Sequence, residues 1–346
     1  MSNFSLLANL GWQSFFQQQL SLEEWENSIV ARVIEQHRSE ITVATESEAF
    51  NITLTHSMPE MVVGDWVLFD RNKQFIRVLD RKTSFQRKAP GSKVKHQLIS
   101  ANVDTAFIVS SMNEDFNLNR IERFLALVNE SGAEPVVVLS KSDQSSSPED
   151  LIAQVQKLDD YLIVEAVNCL DSSSVSKLGA WLKQGSTTSV LGSSGVGKST
   201  LINTLLGANS QSTGSIREDD DKGRHTTTRR SLISLDSGGL ILDTPGMREI
   251  QLANCKEGIA ATFSDIERFS NQCRYSDCQH HAEPGCAVRE SIESGILDAR
   301  RLDNYHKLLR EEALNSASLM NKRAKDKALG KYYKRTLSES NMLKGR

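Results

Sequence analysis

The sequence predicts a multidomain chain. A small β-barrel of OB-fold type is followed by an α/β P-loop domain with its motifs in permuted order, and then by a mainly helical C-terminal domain carrying a metal-ligand cluster. Three observations predict this. Gly192-Ser193-Ser194-Gly195-Val196-Gly197-Lys198-Ser199-Thr200 matches G-x-x-x-x-G-K-[ST] between a β-prone run and a helical pattern. Five short β-type runs occupy residues 29–79. Cys273, Cys278, His280 and Cys286 stand at zinc-ligand spacing.

The totals bound the classes. The chain has 346 residues, 38% hydrophobic and 25% charged, with a net charge of −3. That length suits two or three domains, and the net charge alone does not point to nucleic acid. No basic start precedes a long apolar run, and no stretch approaches a membrane span, so the expectation is a cytoplasmic protein with no membrane partner. Five cysteines, three of them clustered, favour metal over disulfides in such a chain.

Residues 1–27 are Gln- and Glu-rich with scattered aromatics (Trp12, Phe15, Phe16, Trp25). They suit a docking helix or a mobile arm, and the sequence assigns them no role. Residues 28–95 hold the barrel: Ile29–Ile34, Glu40–Thr45, Phe50–Thr55, Asp65–Phe69 and Phe75–Leu79 are its strands. Five short strands in so few residues fit an OB-fold, and strand number alone fits any small β-domain as well. Arg71 to Lys95 is basic against the single acid Asp80. Such a run serves as a solvated face or as a contact to a phosphate backbone.

Residues 96–250 form the α/β domain. Thr105–Val109 and Pro135–Leu139 are continuous apolar runs of buried parallel strands, and Asn119–Asn129 is the amphipathic helix between them. Directly after the second strand stands Ser140-Lys141-Ser142-Asp143, close to the N/T-K-x-D motif that reads guanine. A carboxylate at Asp143 would accept from guanine N1–H and N2–H₂, whereas adenine presents a lone pair at N1. Ser140 departs from the usual Asn or Thr, and its hydroxyl is the group available to replace that side chain's tie to the phosphate loop. Val164–Asn168 is a further strand, and the loop whose backbone N–H contacts guanine O6 would fall at Asn168-Cys169.

In the phosphate loop, Gly192, Gly195 and Gly197 allow tight turning. The backbone at Ser193, Ser194 and Val196 aims N–H groups inward, and Lys198 reaches the β- and γ-phosphates. Ser199 is a ligand to Mg²⁺, and the helix from Thr200 adds its positive end. After a charged segment come Gly223-Arg224-His225-Thr226-Thr227-Thr228, a switch whose Thr228 would bind Mg²⁺, and Asp243-Thr244-Pro245-Gly246. Asp243 would hold Mg²⁺ through water, and the Gly246 N–H would bind the γ-phosphate. Met247 occupies the position where many GTPases carry a water-orienting Gln, which leaves His225 as the local candidate for that task. The guanine motif precedes the phosphate loop, so the domain reads as circularly permuted. The Asp243–Gly246 switch then leads almost directly into the C-terminal region, an expected route for nucleotide state to reach it.

In residues 251–346, three thiolates and one imidazole suit a closed, structural zinc site. His281 competes with His280 on spacing, and Cys255 stands apart as a non-ligand. Leu302, Tyr305, Leu308 and Leu309 mark an amphipathic helix. Lys322 to Arg335 is a basic tail with Tyr332-Tyr333, fit for RNA contact or for solvation.

These motifs in this order resemble the ribosome small-subunit-dependent GTPase A family, circularly permuted GTPases of bacterial ribosome biogenesis. The resemblance spans about residues 28–310 and includes Gly64-Asp65-Trp66-Val67 and Asn102-Val103-Asp104 as well as the motifs above. It implies an OB-fold, a permuted GTPase domain and a zinc domain. It also implies GTP hydrolysis stimulated by the small ribosomal subunit, contact with 16S rRNA, late maturation of that subunit, and His225 as the catalytic residue. A monomer is expected. The competing reading is a nucleotide-gated RNA-binding module, or a P-loop ATPase, with incidental hydrolysis. Base preference and subunit stimulation separate the readings.

Overall fold

A computed structural model of the chain describes residues 3–88, 96–207, 230–243 and 252–316. The N-terminal extension folds into α1 (Asn3–Asn9), α2 (Ser14–Gln17) and α3 (Leu22–Asn27). Its aromatics are the reason. Trp12 meets the buried Trp66 edge-on at 4.8 Å, Phe16 lies 5.7 Å from the same ring, and Trp25 stacks on Trp12 at 6.2 Å. Such rings bury large apolar area that a polar arm otherwise lacks. A capping box starts α3: Ser21 Oγ accepts from the Glu24 N–H at 3.1 Å, and Glu24 accepts from the Ser21 N–H at 2.9 Å. Arg77 donates to the same Glu24 carboxylate at 2.8 Å and fastens α3 to the barrel.

The barrel strands are β1 (Ile29–Gln36), β2 (Glu40–Ala44), β3 (Ala49–Thr53), β4 (Trp66–Phe69) and β5 (Phe75–Val78). They pair antiparallel in the order β3-β2-β1-β4-β5, the order of a five-stranded Greek-key barrel. Among the described residues no pairing joins β3 to β5. Phe69 fills that seam instead, 5.5 Å from Phe50 on β3 and 6.2 Å from Phe75 on β5. Alternation sends Ala31 and Val33 of β1 inward, while Val30 and Arg32 face the other way.

The basic run hides a hairpin, β6 (Ser84–Lys88) with β7 (His96–Ala101), which spans both sides of the boundary expected at residue 95. Phe85 and Ile99 anchor it in the core of the α/β domain.

That domain follows as β8 (Thr105–Ser111), α4 (Leu118–Ser131), β9 (Glu134–Ser140), α5 (Pro148–Gln156), β10 (Ile163–Ala166), α6 (Ser172–Val175), β11 (Thr187–Gly192), α7 (Lys198–Leu206), β12 (Arg230–Ser234) and β13 (Leu240–Asp243). Strand order is β10-β9-β8-β11-β13-β12, parallel except for β12. The chain steps outward from β8 to β10, then returns to lay β11 on the other side of β8. Counted from β11, the same sheet reads 2-3-1-4-5-6. That is a doubly wound sheet entered partway round, which is the permutation expected from the motif order. Ligands in such sheets bind outside the carboxyl ends of the strands where the order reverses, here beside β11 and β8.

The barrel and this sheet are continuous. β1 pairs with β12 at Glu35–Ser231 and Gln36–Arg230. Arg32, fully buried, locks the joint. It donates to Leu10 O at 2.5 Å, Thr187 Oγ1 at 2.9 Å, Asn102 O at 3.0 Å and Gly64 O at 3.3 Å. Asp104 takes the Thr187 N–H at 3.0 Å, Gln13 Nε2 at 3.0 Å and Lys82 Nζ at 3.3 Å. Burial holds the Arg32 pKa down, to about 10, and Asp104 and Asp65 oppose the shift. Thr187 begins β11, and the other end of β11 enters the phosphate loop.

The C-terminal helices are α8 (Lys256–Thr262), α9 (Ser264–Ser270), α10 (Ala287–Glu293) and α11 (Ala299–Ser316). They are joined to α4 through Glu122, whose carboxylate is fully buried. It accepts from Arg300 at 2.9 Å, Arg301 at 2.8 Å and Asn304 at 2.5 Å. Arg301 also donates to Leu158 O, Thr262 O and the Asp265 carboxylate at 2.8–3.0 Å. A buried carboxylate shared by two guanidiniums is tolerable only when every donor and acceptor is matched, and here they are.

Candidate nucleotide and metal sites

β11 delivers the phosphate loop to the carboxyl edge of the sheet. Gly192 leaves the strand at φ 144°, and a Cβ there would lie 2.3 Å from Val109 O on β8, so only glycine fits. Gly197, at φ 95°, stands directly before α7 and turns the chain into the helix. The first N–H groups of α7 have no intrahelical carbonyl, which makes this end a seat for an anion. Lys198 is 6% exposed, and its Nζ donates to Ser193 O. Leu201, Ile202 and Leu206 are buried and hold the helix against the sheet.

The Ser140–Asp143 loop leaves β9, two strands away. Its first residue reaches the phosphate loop: Ser140 Oγ donates to Val196 O at 2.5 Å and lies 3.4 Å from Ser110 O. The hydroxyl therefore makes the tie that the sequence left to it. Lys141 adopts φ 58°, and Ser142–Gln144 then form a single 3-10 turn that contains Asp143. The Ser142 N–H donates to Val167 O at 3.3 Å, joining this loop to the one that follows β10.

That second loop contains Asn168-Cys169. Asn168 Oδ1 accepts from the Leu170 N–H at 3.0 Å, and Ser174 Oγ from the Asn168 N–H at 2.9 Å. Cys169 is buried. Burial, and then the Asp143 carboxylate, push its thiol up to about 11, with Lys141 opposing. Cys169 therefore stays a neutral thiol lying close to the Lys141 and Asp143 side chains. Three loops from β9, β10 and β11 thus converge on one edge, as a site that takes a base and phosphates together requires.

Asp243 is the last residue of β13, beside β11, with its backbone opposite Ser231. His225, Thr228 and Gly246 lie outside the described residues, as do Met247 and the tail from Lys322 to Arg335.

The metal candidates come together between α9 and α10. One ligand atom from each of Cys273, Cys278, His280 and Cys286 lies within 4.8 Å of all the others. Cys273 Sγ is 3.9 Å from Cys286 Sγ, and His280 Nδ1 is 3.7 Å and 3.5 Å from those two sulfurs. A tetrahedral zinc with bonds of about 2.3 Å to sulfur and about 2.0 Å to nitrogen spaces S···S at about 3.8 Å and S···N at about 3.5 Å. The donor set fits the ion. His280, at φ 61°, turns its Nδ1 inward, while Nε2 lies 3.2 Å from Ser270 Oγ, a partner that fixes the ring. His281 is outside the cluster, its ring 5.1 Å from His306. Cys255 is buried elsewhere, its thiol on Ala126 O at 3.4 Å.

The sequence missed the residues that hold these sites in place. Arg32, Asn102 and Asp104 bind the barrel to β11, and Glu122 binds α4 to α11. The only signal was the presence of Asn102 and Asp104 in one of the resemblance motifs.

Known proteins agree with this geometry. The RsgA GTPase family model matches residues 78–253. An ABC transporter model matches residues 175–339, a stretch that includes the phosphate loop. Small ribosomal subunit biogenesis GTPase RsgA 2 of Vibrio parahaemolyticus is 54% identical over 339 residues, covering 98% of this chain and 95% of that protein. The RsgA protein of Xanthomonas oryzae pv. oryzae is 45% identical, covering 88% and 86%. Among solved structures, YjeQ from Thermotoga maritima superposes with a TM-score of 0.62 at 27% identity, covering 82% of this chain and 98% of that one. YloQ, a circularly permuted GTPase, superposes with a TM-score of 0.60 at 23% identity, covering 86% and 99%, and so supports the fold.

Proposed function

This chain belongs to the RsgA GTPase family, and from that premise we propose that it hydrolyses GTP as an assembly factor in late maturation of the small ribosomal subunit. The observation that carries the reading is the Ser140–Val196 bond, which seats a guanine-type loop on a phosphate loop in a permuted sheet. The division of labour follows from residue chemistry. Asp143 reads the base, with the Lys141 stem over its plane and the loop at Asn168-Cys169 beside it. The backbone of Gly192–Thr200 and Lys198 hold the phosphates. Ser199, Thr228 and Asp243 are the Mg²⁺ ligands, and the ion neutralises charge developing on the phosphate oxygens. The Gly246 N–H takes the γ-phosphate. Met247 has no group to orient water, so His225 does so, and the subunit stimulates turnover by setting that switch.

Zinc at Cys273, Cys278, His280 and Cys286 is structural: four protein ligands leave no position for water. The partner is 16S rRNA, met by the basic tail and by the cations of Arg71–Lys95 other than Arg77, Arg81 and Lys82, which Glu24, Asp65 and Asp104 hold. The protein acts in the cytoplasm as a monomer, bound to the subunit with GTP and released on hydrolysis. Sedimentation with purified small subunits tests this. Binding with a non-hydrolysable GTP analogue and loss with GDP is expected. Equal binding in both states contradicts release on hydrolysis.

A further inference from the structure

Two hydroxyls, not one, join the base-reading loops to the phosphate loop. Ser140 holds the loop after β9. Thr204, on α7, holds the loop after β10: its Oγ1 donates to Cys169 O at 2.6 Å. A helical threonine commonly returns its hydroxyl to its own helix, four residues back. Here the bond leaves the helix and spans 35 residues of sequence. Two further contacts bring both base-reading loops together at the phosphate loop. Cys169 Sγ lies 3.8 Å from where a Cβ on Gly197 would stand, and Ser140 Oγ lies 3.7 Å from that point. Fixing the Cys169 carbonyl also fixes the orientation of its peptide plane, and with it the Leu170 N–H that Asn168 Oδ1 holds.

We infer that Thr204 is a positioning residue for base recognition. It clamps the Asn168–Leu170 loop to the helix that carries the phosphate seat, so that base and phosphate sites keep one spacing. The inference rests on the reading of this edge as a guanine nucleotide site. Its chemistry sets two demands. A methyl in place of the hydroxyl keeps the shape of the helix face and removes the clamp. A serine restores the donor.

The test is the dissociation constant of GTP, of ATP and of inorganic tripolyphosphate on the full chain, measured directly by isothermal titration calorimetry with Mg²⁺ present. It compares wild type, Thr204→Val and Thr204→Ser. Loss of one hydroxyl bond to a carbonyl predicts about fivefold weaker GTP in Thr204→Val. Tripolyphosphate should bind equally well to both proteins, and Thr204→Ser should recover GTP affinity. Equal loss for GTP and tripolyphosphate would overturn the inference, because α7 itself would then be disturbed. Unchanged GTP affinity in Thr204→Val would overturn it as well. A wild type that takes ATP as well as GTP would overturn the guanine reading beneath it, and that failure shows before any variant is made.

Discussion

Replacing Arg32 with Met is the sharpest test of how the barrel is joined to the nucleotide domain. The substitution keeps most of the stem and removes a guanidinium that reaches Leu10 O, Gly64 O, Asn102 O and Thr187 Oγ1. Three carbonyls and one hydroxyl lose their donor in a dry joint, and Asp65 and Asp104 lose a nearby cation. Each stranded group costs roughly 1–2 kcal/mol, together about 4–8 kcal/mol. Against this, the buried cation no longer has to be desolvated. The fall of its pKa from 12.5 to about 10 marks that cost as roughly 3 kcal/mol. The expected net loss lies at about 1–5 kcal/mol, its upper end matching the removal of one partner of a buried ion pair. With about 2.1 cal/mol/K per residue over the whole chain, that lowers Tm by about 1–7 °C. Differential scanning calorimetry is the assay. Arg32→Lys should fall between the two, since three donors cannot serve four acceptors in fixed geometry. A Tm no lower than wild type for Arg32→Met, read against a fall of about 1–7 °C expected, would refute the joint as described.

Four further outcomes are expected. Cys286→Ser should lose bound zinc and loosen α9 and α10, whereas Cys255→Ala should keep about one zinc per chain by metal analysis. Asp143→Asn should favour xanthine nucleotides, because xanthine offers a carbonyl where guanine offers an amine, and nucleotide competition measures it; His225→Ala should bind GTP normally and lose most subunit-stimulated turnover. The Arg77 hydrogen bond, and then the Ser21 N–H, lower the Glu24 carboxyl to about 2, from an ordinary 4.5. A depressed acid contributes stability above its unfolded pKa and loses it as pH falls through the folded one. The α3 contact should therefore weaken from about pH 4.5 down to about 2 in a Trp fluorescence titration, and Arg77→Gln should reduce that dependence, leaving the part due to the Ser21 N–H.

Local patterns were legible and long-range partners were not. The strand runs at Thr105, Pro135 and Thr187, and the five barrel runs, all form strands, because continuous or alternating apolar residues decide burial within a few positions. The permutation was also legible, because motif order survives in sequence whatever the fold does with it. The hairpin β6–β7 was hidden because Phe85 sits in a run dominated by charge and its partner strand, with Ile99, starts only past the end of that run. The extension was left without a role because the partner of Trp12 and Phe16 is Trp66, some fifty residues on. Glu122 reads as a surface position on an amphipathic helix. It is buried because Arg300, Arg301 and Asn304 arrive from a helix near the other end of the chain. That same joint binds the C-terminal helices to α4, so the short path from Asp243 is not their only link to the nucleotide domain.

The most direct measurement is turnover of GTP and of ATP by the purified chain, with and without small ribosomal subunits. Slow turnover selective for GTP, rising many-fold with subunits, is the predicted result. Equal use of ATP, or GTP turnover that ignores the subunits, would contradict the account.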